Sequence, residues 1–369
     1  MKILIINETL NGSHGKIVAS IAQEYEKEGH IVKIAYGRNN VVPENVKKYA
    51  YRIGNDFDVR KHALFTRLTD RTGFASKHST RSFLKWANNY NPDLVWLHNL
   101  HGYYINIKLL FNWLKDRKVE VKWTLHDCWA FTGHCSHFTY VNCEKWKTGC
   151  YKCPQHNRYP KSFIDSSKWN YSQKKELFTG LKNLEVITPS NWLANLVKKS
   201  FLGEYKIRTI PNTVDKNIFQ HRESGFLKRY KLDGKISLLS VASVWDSRKG
   251  LEDLIELSKI IDKRFCMIII GLNHKQEKLF GPNVIKIRRT ENQIELAEIY
   301  SACDFLINPS YEETFGMTVL EAQLCDCFPI IYENTASVEL LEKAKGIAVK
   351  PGANNIYKKI IELVEHKKS

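Results

Sequence analysis

The sequence contains no run of 18 apolar residues, so no membrane-spanning helix is expected. Its start, "MKILIINETLNGSHG", lacks the long apolar block and small-residue cleavage site of a secretory leader and reads as a short strand and a turn. The expected location is therefore cytoplasmic, with a place at the inner face of the cytoplasmic membrane left open. There is no internal repeat and no low-complexity tract, which excludes solenoids and disordered scaffolds. Acids are in deficit: 39 Asp and Glu stand against 56 Lys and Arg, a net charge of +17. That surplus favours anionic partners, whether nucleic acid, phosphorylated metabolites or an acidic membrane surface. The basic residues are dispersed ("KKYAYR", "FLKRYK", "EHKKS"), so charge alone does not choose among these, and no single amphipathic helix stands out as a membrane contact.

What is present is enough apolar material, 43% of 369 residues, for two cores, and a rhythm of short apolar runs alternating with amphipathic segments. "KILIIN" reads as a strand. "KIVASIAQEYEKEG" puts Ile17, Ile21, Ala22 and Tyr25 on one helical face and ends at Gly29. Strands follow at "HIVKIAY", "DLVWLHN", "VEVKWTLHD" and "LEVITPS", with helices near 104–117, around 171–182 and through 191–200. After "IPNTVDKNIF" the pattern resumes with strands "ISLLSVAS", "FCMIIIG", "NVIKIRR", "FLINPS", "FPIIY" and "GIAVKPG", separated by helices. Alternation of this kind predicts an α/β protein with parallel sheets covered on both faces. We expect two Rossmann-like domains, 1–212 and 213–369, facing across a cleft, with a Cys-rich insertion at about 128–158. A return of the last helix to the first domain is left open. In open parallel sheets ligands bind beyond the carboxyl ends of the strands, which puts the expected site in the cleft.

The stretch "PSYEETFGMTVLEAQLC" carries the sharpest chemical signal. A strand ends, the loop through Phe315 follows, and a helix begins at Gly316. The unpaired amides of Gly316, Met317 and Thr318, with the Thr318 hydroxyl, would form an anion site. Glu313 and Glu321 suit sugar hydroxyls, because an ionised carboxylate accepts two hydrogen bonds from a vicinal diol. Acids and a phosphate repel at one spot, so they must grip different parts of one ligand; a nucleotide-sugar has those parts.

The spacing of Glu313 and Glu321 within "PSYEETFGMTVLEA" resembles the retaining glycosyltransferases of family 4, which have the GT-B fold. "VASVWDSRKGLEDLIEL" looks like that family's diphosphate-binding loop, and "ITPSNWLANLVKKS" and "IPNTVDKNIF" look like its linker region. "VWLHNLHGYYIN" and "KWTLHDCWAFTGHC" are similar to a bacterial polysaccharide-biosynthesis subgroup. The resemblance implies roles by position. Glu321 would bind the donor ribose and Glu313 the transferred sugar. Arg248 and Lys249 would neutralise the diphosphate, and Gly12 and Gly15 would let backbone approach a phosphate. His126 would stand near sugar and acceptor with Asp127 orienting it. His98 and His101 would line the acceptor side, and the loop of Arg289 and Thr290 would pack near the nucleobase. The implied donor is a UDP- or GDP-sugar and the implied acceptor a lipid-linked oligosaccharide; no catalytic metal and no cofactor for the chemistry are expected. The chain departs from the family pattern at Ala242-Ser243, where Gly-Arg is common, and before Pro329, where a Gly is usual.

Nine cysteines are present, and four of them, Cys135, Cys143, Cys150 and Cys153, have gaps of seven, six and two residues. A Cys-x-x-Cys pair with two further thiols fits a tetrahedral structural zinc, with His134 or His137 able to replace one thiol. Zinc would tie down an insertion that has little apolar pattern of its own. A rival reading uses the same cluster and its aromatic neighbours as a single-strand nucleic-acid module, but it leaves Glu313 and Glu321 unexplained, so nucleic acid is not the expected partner. A phosphorylase or epimerase on the same fold is the other alternative.

Overall fold

A computed structural model describes residues 1–38, 41–342 and 344–366. The chain forms two compact units, Met1–Pro211 and Asn212–Ser369.

The first unit is built on a seven-stranded sheet: β1 (Lys2–Thr9), β2 (Ile31–Arg38), β3 (Ala50–Arg52), β4 (Leu94–Leu97), β5 (Glu120–Thr124), β6 (Leu184–Thr188) and β7 (Lys206–Thr209). The order is β3-β2-β1-β4-β5-β6-β7 and every pairing is parallel. Residues Ile3 to Ile6 are buried without alternation, as a strand covered on both faces requires. Ile3 and Ile5 pack with Val18 and Ala22 of the helix Gly12–Lys27. Leu4 and Ile6 face the other way, into a core with Phe83, Phe111 and Trp123. The order reverses between β1 and β4, so their carboxyl ends open a crevice at that point.

The second unit repeats the plan with six strands: β8 (Ile236–Val241), β9 (Phe265–Ile270), β10 (Val284–Ile287), β11 (Phe305–Asn308), β12 (Phe328–Tyr332) and β13 (Ile347–Val349), in the order β10-β9-β8-β11-β12-β13. All are parallel, and all six residues of β9 are buried. The switch point lies between β8 and β11. The helix Ala353–His366 buries Ile356, Ile360 and Val364 in this unit's core with Leu254 and Leu257.

Three elements depart from the pattern read in the sequence. The edge strands β3 and β7 have only three and four residues, too few to show a period. The helix Asp56–Thr69 is apolar on two sides: Phe57, Leu64 and Leu68 are exposed while Val59 and Phe65 pack on the core beside the buried His62 and Thr66, so no single apolar stripe marks its inner face. The insertion also has more apolar structure than expected. It carries short turns of 3-10 helix at Trp129–Phe131 and Lys145–Lys147. Phe131, Phe138 and Trp146 are nonetheless buried together, with the Phe138 and Trp146 rings stacked at 4.7 Å. Lys174 ties it to the next helix, Ser167–Phe178. Its buried ammonium donates to the carbonyls of Trp129 and Thr132 at 2.8 and 3.0 Å, over the Trp129 ring.

Candidate functional site

In the second unit, the loops leaving β8 and β11 are joined at the switch point. After β8 the chain turns through Ser247–Lys249, closed by the Asp246 carboxylate, which accepts from the Lys249 amide at 3.0 Å. Gly250 follows at φ +74°, with the Pro309 carbonyl so near that a β-carbon would lie 2.2 Å from it. The Tyr311 amide donates to the Arg248 carbonyl at 2.9 Å. This stitching delivers two cations to two acids. The Lys249 ammonium donates to Glu313, and Arg248 lies 3.8 Å from the buried Glu312. Burial would push the Glu313 carboxyl up, but Lys249 and then Arg248 outweigh it and hold it below its ordinary value. Glu312 was not singled out in the sequence; the adjacent acids look alike there, and only burial shows that the first turns inward to Arg248.

The helix Met317–Leu324 begins beside this pair. Gly316 precedes it at φ +99°, packed where a β-carbon would meet Ser337, and Phe315 is buried behind it. The Thr318 hydroxyl accepts from the Asn308 amide at 3.2 Å, which ties the helix start to the end of β11. Met317 is half-buried in the first turn. Glu321, one turn further, accepts from the buried Tyr300 hydroxyl at 3.2 Å. Arg289 and Thr290 follow β10 at the edge of the sheet, Arg289 exposed and Thr290 half-buried. Its neighbour Arg288, rather than Arg289, carries the ion pair to Glu277.

In the first unit, the switch point between β1 and β4 is lined by imidazoles. His98 follows β4, and its Nδ1 lies 3.0 Å from Nε2 of His126, which stands two residues past β5. His14, in the first turn of the helix Gly12–Lys27, packs its ring 4.6 Å from His126 and is held by Asn99 at 3.0 Å. Burial lowers the pKa of all three. His98 falls to about 3, and His126, which also faces His14 and His98, falls well below its usual value. These rings are neutral at physiological pH. Beside them His101 binds Asp127 at 2.9 Å and the Tyr159 hydroxyl at 3.1 Å. Burial opposes the charge on Asp127, but His101 and the Trp129 amide overcome it and bring its pKa down to about 2. Gly12 has the left-handed φ of +69° with open space around it, whereas Gly15 lies against the Leu10 carbonyl, an internal packing need.

Four participants here were not read from the sequence: Glu8, Arg38, Tyr103 and Tyr159. Glu8 sits near the end of β1 with Oε2 buried and Arg38 3.8 Å away. Gly102 presses on it so closely that a β-carbon would fall 2.4 Å from that oxygen. Arg38 stands over the Tyr103 ring at 5.8 Å, and Tyr103 meets Tyr159 edge-on at 6.1 Å. These residues come from four distant segments, so no spacing announces them. His14 was within reach: it is the one ring in the quoted turn "NGSHG".

Cys135, Cys143, Cys150 and Cys153 line one apolar cavity with Phe138 and Trp146. The Cys150 sulfur accepts from the Gly133 amide at 3.1 Å. As the side chains stand, no group of three or more His, Cys, Asp or Glu among the described residues is arranged to hold a metal ion. His134 is engaged elsewhere, bound to Asp70 and facing the Arg158 carbonyl at 3.4 Å, so it is no spare ligand. No helix of the described residues is long and apolar enough to cross a membrane.

Two parallel sheets of Rossmann order, each with polar groups gathered at its switch point, define a glycosyltransferase of GT-B fold. The chain belongs to glycosyltransferase family 4: that family's model matches residues 14–217, and the model for glycosyl transferases group 1 matches residues 227–369. It is 28% identical over 268 residues to a putative colanic acid biosynthesis glycosyl transferase of Escherichia coli K12, covering 70% of this chain and 64% of that relative. It is 26% identical over 149 residues to the N,N'-diacetylbacillosaminyl-diphospho-undecaprenol alpha-1,3-N-acetylgalactosaminyltransferase of Campylobacter jejuni, covering 39% of each chain. Its fold resembles that of HepE of Anabaena, solved in complex with UDP, at a TM-score of 0.67 and 15% identity, covering 100% of this chain and 91% of that one.

Proposed function

We propose that the protein transfers a sugar from a UDP- or GDP-sugar to a lipid-linked saccharide, with retention at the anomeric carbon, during assembly of a surface polysaccharide. The observation that carries this reading is the Arg248, Lys249, Glu312 and Glu313 network beside a helix start at the second switch point. A diphosphate brings negative charge to a place where two cations, Arg248 and Lys249, are held by backbone stitching. Arg248 and Lys249 bind it, with the amides of Gly316, Met317 and Thr318. Glu321 takes the ribose diol and Glu313 a hydroxyl of the transferred sugar, while Phe315, Arg289 and Thr290 belong to the nucleotide side.

As the bond between the anomeric carbon and the phosphate oxygen breaks, charge grows on the leaving diphosphate, and fixed cations stabilise that growth most. The acceptor hydroxyl forms its new bond on the face the phosphate leaves, and its proton passes to the departing phosphate oxygen. No protein nucleophile is needed. His126 is neutral and contributes a hydrogen bond rather than a charge; Asp127, His98 and His101 keep the imidazoles oriented for the acceptor. Gly12 and Gly15 shape the turn beside them. The C. jejuni relative's name contains a diphospho-undecaprenol acceptor, and HepE was solved with UDP; both support the choice of partners. The reading includes a structural zinc drawn in by the four cysteines, whose convergence on one cavity supports it.

The test is product formation. With UDP- and GDP-sugars and lipid-linked oligosaccharides, mass spectrometry should show an acceptor heavier by one sugar, absent in Glu313→Gln. Phosphate-dependent sugar release, or interconversion of the donor without acceptor, would replace this reading with a phosphorylase or an epimerase.

A further inference from the structure

The helix Asp56–Thr69 has an outer face that neither sugar site explains. Its outward positions are 57, 60, 61, 64, 67 and 68, one continuous face of a helix. Three are large and apolar: Phe57, Leu64 and Leu68 are 62%, 59% and 55% exposed. The other three are Arg60, Lys61 and Arg67, all exposed. No acid shares the face. Asp56 pairs with Arg52, and Asp58 is turned into the cap, accepting from the Asn55 amide and the Ser79 hydroxyl. A solvated surface helix is apolar on its inner side and polar outside. This helix packs Val59 and Phe65 on the core around the buried His62, whose ring accepts from the Gly73 amide and bonds Ser76, and yet keeps a second apolar set outside.

A second segment widens the same surface. The Phe163 amide and the Ser162 hydroxyl both donate to the Arg67 carbonyl, at 2.9 and 3.2 Å, so residues 162–164 are strapped along the helix. Phe163 and Ile164 are 63% and 49% exposed. Tyr159, a few residues back on this strap, reaches His101. The strap therefore runs from the imidazole cluster to the apolar face.

We propose that this face docks on the surface of an anionic lipid bilayer, with Phe57, Leu64, Leu68, Phe163 and Ile164 entering the headgroup boundary and Arg60, Lys61 and Arg67 meeting lipid phosphates. Apolar side chains flanked by long basic ones suit that boundary, because Lys and Arg stems lie along apolar surface while their heads reach outward. A second copy of the chain is a poor occupant, since the face is cationic and would meet itself with like charge. The test needs neither donor nor acceptor, so its failure would leave the transfer reading untouched, and the reverse.

Cosedimentation of the full chain with phosphatidylcholine vesicles, with and without phosphatidylglycerol, is the experiment. Binding is expected to the anionic vesicles, weakened by salt. Leu64→Asp with Leu68→Asp should lower it about tenfold or more, as should Phe163→Asp, with an unchanged melting temperature. Leu279→Asp, at an exposed apolar position of the second unit, should bind as the parent does. Equal binding by all variants, no binding by the parent, or a dimer in solution dispersed by the same substitutions would overturn the proposal.

Discussion

The two units share a strand order and differ in what occupies the switch point. In Asn212–Ser369 the groups are ionic: Lys249 on Glu313, Arg248 near Glu312. In Met1–Pro211 they are mostly neutral rings, His14, His98 and His126, with charge set around them at the His101–Asp127 pair and at Glu8 and Arg38. The difference teaches what each site is suited to hold. Paired cations exchange a carboxylate partner for a phosphate with little loss. Buried neutral imidazoles offer hydrogen bonds without a net charge, as suits the uncharged hydroxyls of a sugar.

The largest expected effect breaks the ionic side. Lys249→Ala should reduce kcat for sugar transfer by about 10²–10³-fold, the range seen when a fixed stabiliser of developing charge is removed. A loss confined to KM would show that Lys249 binds the donor equally in ground and transition states. The next concerns the insertion in the first unit. Metal analysis of protein purified without chelator should find about one zinc per chain, lost in Cys150→Ser with a lower melting temperature; full retention by that variant would remove Cys150 from the ligand set.

Acid should separate the two units. The first holds four histidines with lowered pKa, the half-buried His14 and the buried His62, His98 and His126, with desolvation the leading cause in each. The second has only His221, His274 and His366, all exposed. A ring with a lowered folded pKa contributes stability that is complete above its free value of 6.5 and is lost as pH falls towards its folded value. His62 and His98, each at about 3, should each cost ~2 kcal/mol at pH 5. Burial also weighs against charging His101 and His134, but Asp127 and Asp70 overcome it and raise their pKa, so these two act in the opposite direction and offset part of the loss. Hydrogen exchange read peptide by peptide at pH 7 and pH 5 should show the first unit opening more than the second. Equal opening would contradict the contrast. The smallest effect is Tyr159→Phe, which removes one hydrogen bond to His101 and should raise the acceptor KM by a few-fold, about 1 kcal/mol.

Much of this was legible in the sequence, and the limits have physical causes. Strands buried on both faces, such as "FCMIII" and "KILII", announce themselves by unbroken apolar runs. Lys249 and Glu313 were each readable as site residues, because both lie in loops directly after strands whose neighbours the fold class dictates, but their ion pair was not. Glu8, Arg38, Tyr103 and Tyr159 were not, since only the folded chain brings such separated positions together. The helix Asp56–Thr69 was hidden for another reason: its apolar residues point both inward and outward, so no single stripe marks which side is core.

Calorimetric titration of the intact protein with UDP and with GDP tests the central claim most directly. The account predicts one-to-one binding of one of them, weakened at least about tenfold by Lys249→Ala, which is about 1.4 kcal/mol. Binding of neither nucleotide, or equal affinity in the parent and the variant, would contradict it.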